Sequence, residues 1–288
     1  MTIGIVCSDA GAAEIISSYV LKYNLKCVFN LHGPAISIFS KKLEYKIDSV
    51  DCKTLVEKSS WLLLGTSSYN MHEHNAIIKA KIAGKYCISY IDHWSGYSRR
   101  FLRGNDLIYP NEIWVTDIYA YKRAIQEFYD IKIRIQKNLY LDHITSSSNT
   151  KCKLSDDNIT ILYLGEPISE SAQMLHGDKM FWGYDEHDSI RYFFKNYPGD
   201  LSKIKRVIIR PHPKENPDKY NWVGAYFDFA VDRSENSNLV HDIELADIVV
   251  GCSSMAMIVA LNMKKPVYSS IPIKSNYPKL PHKDIIYI

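Results

Sequence analysis

The sequence predicts an α/β protein made of two Rossmann-like domains in tandem. Three observations carry this prediction. Short apolar β-type runs alternate with helical patterns along the whole chain. A polar run, Thr145-Ser146-Ser147-Ser148-Asn149-Thr150-Lys151, interrupts the series near its middle. After it, the alternation begins afresh. A βαβα order implies a parallel sheet with helices on both faces. The polar run has the composition of a linker, so the domains are expected at residues 1–145 and 155–288. One large doubly wound domain is the competing arrangement, and counting strands does not exclude it.

Each element follows from its pattern. Ile3–Cys7 reads as a buried strand, Ala10–Tyr23 as a helix and Lys26–Phe29 as a second strand. Trp61–Gly65 is a strand and turn, His72–Ala83 a helix, and Tyr86–Ile91 a strand. Glu112–Val115 and Ile118–Phe128 complete the first series as strand and helix. The second series opens with the strand Ile159–Leu164. A helix near Asp185–Asn196, the strand Arg206–Ile209 and a weak strand around Phe227–Val231 follow. A short helix at Leu239–Leu245, the strand Ile248–Val250, the helix Ser254–Leu261 and the strand Pro266–Tyr268 close it. No internal repeat is present.

Composition narrows the class. At 288 residues the chain is long enough for two ordinary domains. Charged residues make up 23% and hydrophobic residues 46%, the balance of a soluble globular protein. A net charge of +3 and a pI near 8.3 are too weakly basic to indicate a nucleic-acid partner. They suit an anionic substrate or a loose association with an acidic membrane surface. The six cysteines form no C-x-x-C pair, which argues against a zinc site. They read as free thiols of a reducing compartment. The first residues lack a basic n-region and a long apolar stretch, and no window reaches the ~18 apolar residues of a membrane span. A cytoplasmic location is expected, compatible with peripheral association at the inner face of the membrane.

Two strand ends in the second half draw attention. Val207-Ile208-Ile209 runs into Arg210-Pro211-His212-Pro213-Lys214-Glu215. Prolines on both sides restrict the backbone at His212. A histidine held at a strand end can donate to a phosphate or carboxylate, with Arg210 and Lys214 alongside. About 40 residues on, Ile248-Val249-Val250 runs into Gly251-Cys252-Ser253-Ser254. Ser253 or Ser254 can cap the following helix. Its N-terminus would offer N–H groups and partial positive charge to a phosphate. The plain alternatives are a loop histidine between turn prolines and a serine cap that binds nothing. A further strand, Leu162-Tyr163-Leu164, ends in Gly165-Glu166. Gly165 would let backbone N–H groups approach a nucleotide. Glu166 would meet a ribose or base edge, or satisfy the turn.

The first half offers Asp92-His93-Trp94-Ser95-Gly96-Tyr97-Ser98-Arg99-Arg100 after a strand. Asp92 is placed to act as a general base, or to cap a turn. Trp94 and Tyr97 read as a sugar-stacking wall, with His93 beside them. Arg99 and Arg100 read as anion binders. Asp9, at the end of the first strand, is a rival base. His72-Glu73-His74 offers two histidines at i and i+2, which point apart on a helix and read as a solvated face.

Two tandem Rossmann-like domains resemble the GT-B architecture, in which a cleft lies between the domains. The pair His212-Pro213 and Ser253-Ser254, with an acidic strand end at Asp92, resembles the bacterial sialyltransferases and related Kdo and nonulosonate transferases. Leu164-Gly165-Glu166-Pro167 and Glu170 resemble the start of their nucleotide domain. The family's acidic motif has two acidic residues and a glycine; Asp92-His93-Trp94 departs from it. The resemblance implies an inverting glycosyltransferase moving a sialic acid-like or Kdo-like sugar from a CMP-activated donor to a surface glycan acceptor. It implies that Asp92 and His212 are catalytic, with His212 assisting departure of CMP. Gly165, Glu166, Arg210, Pro213, Ser253 and Ser254 would hold the donor nucleotide. Asp9, His93, Trp94, Tyr97 and Arg99 would serve the acceptor or sugar. No metal and no cofactor beyond the CMP-sugar substrate are expected. The same pair also resembles the CDP-glycerol phosphotransferases. A UDP-sugar epimerase of this architecture is a further alternative.

Overall fold

The computed structural model describes residues 1–67, 70–147, 158–213, 215–234 and 238–288. It divides into two units, Met1–His143 and Ile144–Ile288.

The first unit holds strands β1 (Ile3–Cys7), β2 (Cys27–Leu31), β3 (Trp61–Leu64) and β4 (Tyr86–Ile91). A small hairpin of β5 (Leu102–Arg103) and β6 (Asp106–Leu107) precedes β7 (Glu112–Val115) and β8 (Lys132–Ile135). Its helices are α1 (Ala10–Lys22), α2 (Pro34–Leu43), α3 (Cys52–Lys58), α4 (His72–Ile82) and α5 (Ile118–Glu127). The main sheet runs β2-β1-β3-β4-β7-β8 and every pairing in it is parallel. β1 is buried at all five positions, as parallel strands covered on both faces must be. β8 (Lys-Ile-Arg-Ile) lies at the sheet edge, where its charges guard unpaired backbone.

A helix α6 (Leu139–Ser147) spans the junction of the units. It runs into the segment that the sequence marks as a linker from Thr145. Residues 148–151 of that segment lie outside the described residues.

The second unit holds β9 (Ile159–Leu164), β10 (Ile204–Arg210), β11 (Ala230–Arg233), β12 (Ile248–Gly251), β13 (Val267–Ser269) and β14 (Ile285–Tyr287). Its helices are α7 (Ile168–His176), α8 (Glu186–Asn196), α9 (Val223–Tyr226), α10 (Leu239–Leu245) and α11 (Met255–Asn262). The sheet runs β11-β10-β9-β12-β13-β14, again all parallel. Counted within the unit this is 3-2-1-4-5-6, the Rossmann order. Its direction of winding reverses between β9 and β12. Ile161, Tyr163, Val207, Ile209 and Val250 pack with Phe193 and Phe194 of α8 as one core cluster.

Local chemistry explains elements that periodicity missed. Pro34 looks like a breaker but stands at the first turn of α2, where its missing N–H costs nothing. Asp51 caps α3 by accepting from the N–H groups of Lys53 and Thr54. α8, which the sequence does place near Asp185–Asn196, starts with a reciprocal capping box between Asp185 and Asp188. Among the described residues, no helix is long and apolar enough to cross a membrane.

Candidate functional site

In an open parallel sheet, ligands bind outside the carboxyl ends of strands where the winding reverses. In the second unit that place lies between β9 and β12. Gly165 and Glu166 follow β9, Pro211–Pro213 follow β10, and Cys252–Ser254 follow β12.

The turn after β12 is held by Glu166. One carboxylate oxygen, Oε1, accepts the backbone N–H groups of Cys252 at 2.9 Å and Ser253 at 2.7 Å. Tyr277 donates to the other, Oε2, at 3.3 Å. Glu166 thus satisfies this turn, one of the two roles read for it in the sequence. Burial pushes the Glu166 carboxyl up to about 7, against the pull of the N–H donors. Ser254 is the residue that caps α11, through Ala256 N–H at 3.2 Å. Beneath the turn lies a buried network. Tyr163 donates to Ser189, whose hydroxyl lies 2.8 Å from Ser270 Oγ and 3.0 Å from Cys252 Sγ. It ties β9, α8, β12 and the end of β13 together.

The segment after β10 is equally fixed. His212 N–H donates to Glu215 Oε2, and Glu215 N–H donates to the His212 carbonyl, both at 2.8 Å. Tyr220 donates to Glu215 Oε1 at 2.8 Å. The His212 backbone is thus closed into a tight turn whose buried base is a carboxylate. The His212 side chain is half-buried and Pro213 exposed. Lys214 lies outside the described residues. The same turn packs closely on Gly165. A Cβ there would stand 2.8 Å from Glu215 Oε2 and 3.1 Å from Pro211 Cα, and its N–H already donates to the Arg210 carbonyl. Arg210 is likewise committed. Its guanidinium pairs at 2.5 Å with the buried Asp242, which also accepts from Ser234. This pair fixes the guanidinium against α10. A cavity of about 150 Å³ opens beside Pro211, lined by Tyr220, Asn221, Gly224, Asp232 and Arg233 among others.

Lys219 gathers three carboxylates: Glu170 at 2.6 Å, Glu215 at 3.2 Å, and Glu186. These carboxylates lie within 4.8 Å of one another, a spacing that could hold a metal ion. Lys219 already supplies the cation there. Burial alone would lower the Lys219 ammonium, but the carboxylates outweigh it and hold it above its ordinary value. Glu215, Lys219, Tyr277 and Asp242 were not singled out by sequence reasoning. Only Glu215 had a local signal, three residues after His212 in a proline-bounded turn.

In the first unit, Asp92 is buried at the end of β4 and pairs with Arg100 at 2.9 Å. Arg100 also donates to Thr66 Oγ1 at 2.7 Å. Asp92 lies against the start of α1, where a Cβ at Gly11 would stand only 2.2 Å from Oδ2. Asp9 occupies the N-cap position of α1 and is half-buried. Trp94 and Tyr97 do not form a sugar-stacking wall. They are 3% and 0% exposed. Trp94 donates to both carboxylate oxygens of Asp117, and Tyr97 stacks on Phe128 in the core. Arg99 is exposed, and His93 Nδ1 lies 3.0 Å from Ser95 Oγ. The reading of His72-Glu73-His74 as a solvated face is also overturned. Glu73 and His74 are buried, while His72 stacks on His32 with ring centroids 3.4 Å apart. Ser8 donates to Glu73 at 2.5 Å, and burial raises the Glu73 carboxyl.

No protein-family model matches the sequence, and no curated protein matches it. Solved structures do. The S. aureus MnaA structure with UDP aligns over 93% of this chain and 79% of its own, at TM-score 0.62 and 14% identity. The fold is GT-B-like. The UDP-GlcNAc 2-epimerase of Methanocaldococcus jannaschii aligns over 93% and 83%, at TM-score 0.56 and 12% identity. The wall teichoic acid polymerase TagF, as a variant soaked with CDPG, aligns over 93% and 69%, at TM-score 0.50 and 12% identity. At these identities the likeness establishes the fold alone.

Proposed function

We propose that this protein is an enzyme acting on a substrate activated by a pyrimidine nucleotide, with a UDP-linked sugar as the first candidate and epimerisation as the reaction. The second unit holds the nucleotide. One observation carries the reading: His212 and the Ser254-capped start of α11 stand at carboxyl ends of strands that flank β9 on either side. A half-buried histidine at such a strand end can donate to a diphosphate. The start of α11 adds partial positive charge. The fold likeness to a UDP complex and to a UDP-GlcNAc 2-epimerase supports UDP.

Phosphotransfer from a CDP-linked substrate is the second reading. The order of His212-Pro213 and Ser253-Ser254, together with the likeness to TagF, favours it. Sugar transfer from CMP, as the motif pair implies, has less support. In either transfer reaction Asp92 would serve as base only after release from Arg100, and Asp9 is the more open carboxylate.

Titration calorimetry of the full chain with UDP, CDP and CMP separates these readings. Tightest binding of UDP supports the first and of CDP the second. Tightest binding of CMP returns the protein to sugar transfer. Binding of none of the three sinks the proposal.

A further inference from the structure

Two tight turns of the second unit carry exposed apolar side chains next to lysines. In the first, Phe181 N–H donates to the Asp178 carbonyl and Gly183 N–H to the Met180 carbonyl. The Asp178 side chain accepts Met180 N–H at 2.9 Å. This winding leaves Met180 47% and Phe181 46% exposed, with Lys179 exposed beside them. In the second, Ser275 N–H donates to the Pro272 carbonyl, so Ile273 and Lys274 form the tip. Ile273 is 73% exposed.

The turns are neighbours and are fixed to each other. Ser275 Oγ donates to the Trp182 carbonyl at 2.8 Å, and Trp182 meets Tyr277 edge-on at 5.4 Å. Phe181 is held in place by His176, whose ring stacks on it at 3.5 Å with an interplanar angle of 4°. The Phe181 ring is therefore ordered before any partner arrives, which lowers the entropy cost of binding.

We infer that Met180, Phe181 and Ile273, with Lys179 and Lys274, form a docking surface for an anionic lipid bilayer. The apolar tips enter the headgroup boundary while the adjacent lysines meet anionic headgroups. Amphipathic side chains at such a boundary combine apolar burial with electrostatic attraction. Charge complementarity decides the occupant: each apolar tip carries a lysine as its sequence neighbour, against one carboxylate, Asp178, which is turned back onto the Met180 N–H. The inference does not depend on the proposed reaction.

The test is sedimentation of the full chain with vesicles of phosphatidylcholine alone and of phosphatidylcholine mixed with phosphatidylglycerol. Binding several-fold stronger to the anionic vesicles is expected, falling as salt is raised. The double variants Phe181→Ser/Ile273→Ser and Lys179→Glu/Lys274→Glu should each reduce it several-fold without lowering the melting temperature. No binding to either vesicle would overturn the inference, as would equal binding by the variants. A change in oligomeric state of the variants on gel filtration, without vesicle binding, would overturn it in favour of self-association.

Discussion

Glu166 accepts the backbone N–H of Ser253 at 2.7 Å across 87 residues of sequence. A carboxylate from the end of β9 thereby shapes the turn that starts α11. Those N–H groups precede the Ser254 cap, at whose helix start the sequence places a phosphate site.

This arrangement makes stability depend on pH. Burial raises the folded-state carboxyl of Glu166 from 4.5 to about 7. A raised carboxyl binds more protons folded than unfolded between those values. Its contribution is therefore complete below about pH 4.5 and is lost as pH rises through 7. The loss is on the order of 3 kcal/mol. Melting temperatures from pH 5 to 8 should fall more steeply for the native chain than for Glu166→Gln. Parallel profiles would show that Glu166 is ionised throughout.

Lys219 holds Glu170, Glu186 and Glu215 together. Lys219→Met leaves buried carboxylates without their cation. We expect a loss of about 3 kcal/mol in urea unfolding. Adding Glu186→Gln should recover part of it, because the two sites share one network. Strict additivity would refute the coupling.

Gly11 gives Asp92 its place. A methyl there meets Oδ2, so Gly11→Ala should cost roughly 1–3 kcal/mol. The same substitution in an Asp92→Ala background should cost clearly less. An equal cost in both backgrounds, measured by chemical denaturation, would show that the strain lies elsewhere.

Much of the fold was legible in the residues. β4, β9 and α10 fall where apolar runs and helical spacing put them. The ends of β9, β10 and β12 fall at or next to the residues where the sequence placed them, whereas β11 runs on past Val231 to Arg233 and β14 was not foreseen. What was not legible are partnerships across long separations. Nothing local to Glu166 says that it binds Cys252 and Ser253, and nothing local to Arg210 announces Asp242. Trp94 and Tyr97 read as a binding surface because aromatics near charges look functional. Asp117 and Phe128, which bury them, come from later in the chain. His72-Glu73-His74 read as a solvated face because histidines at i and i+2 point apart on a helix and share no ligand. The burial of α4 set their environment instead.

The central claim is that His212 meets the phosphates of a pyrimidine nucleotide held by the second unit. Titration of UDP into the native chain and into His212→Asn tests it directly. The account predicts that the variant binds UDP roughly tenfold more weakly, the loss of one hydrogen bond to a charged group. Its melting temperature without ligand should not change. Unchanged UDP affinity in a folded His212→Asn variant would contradict the account.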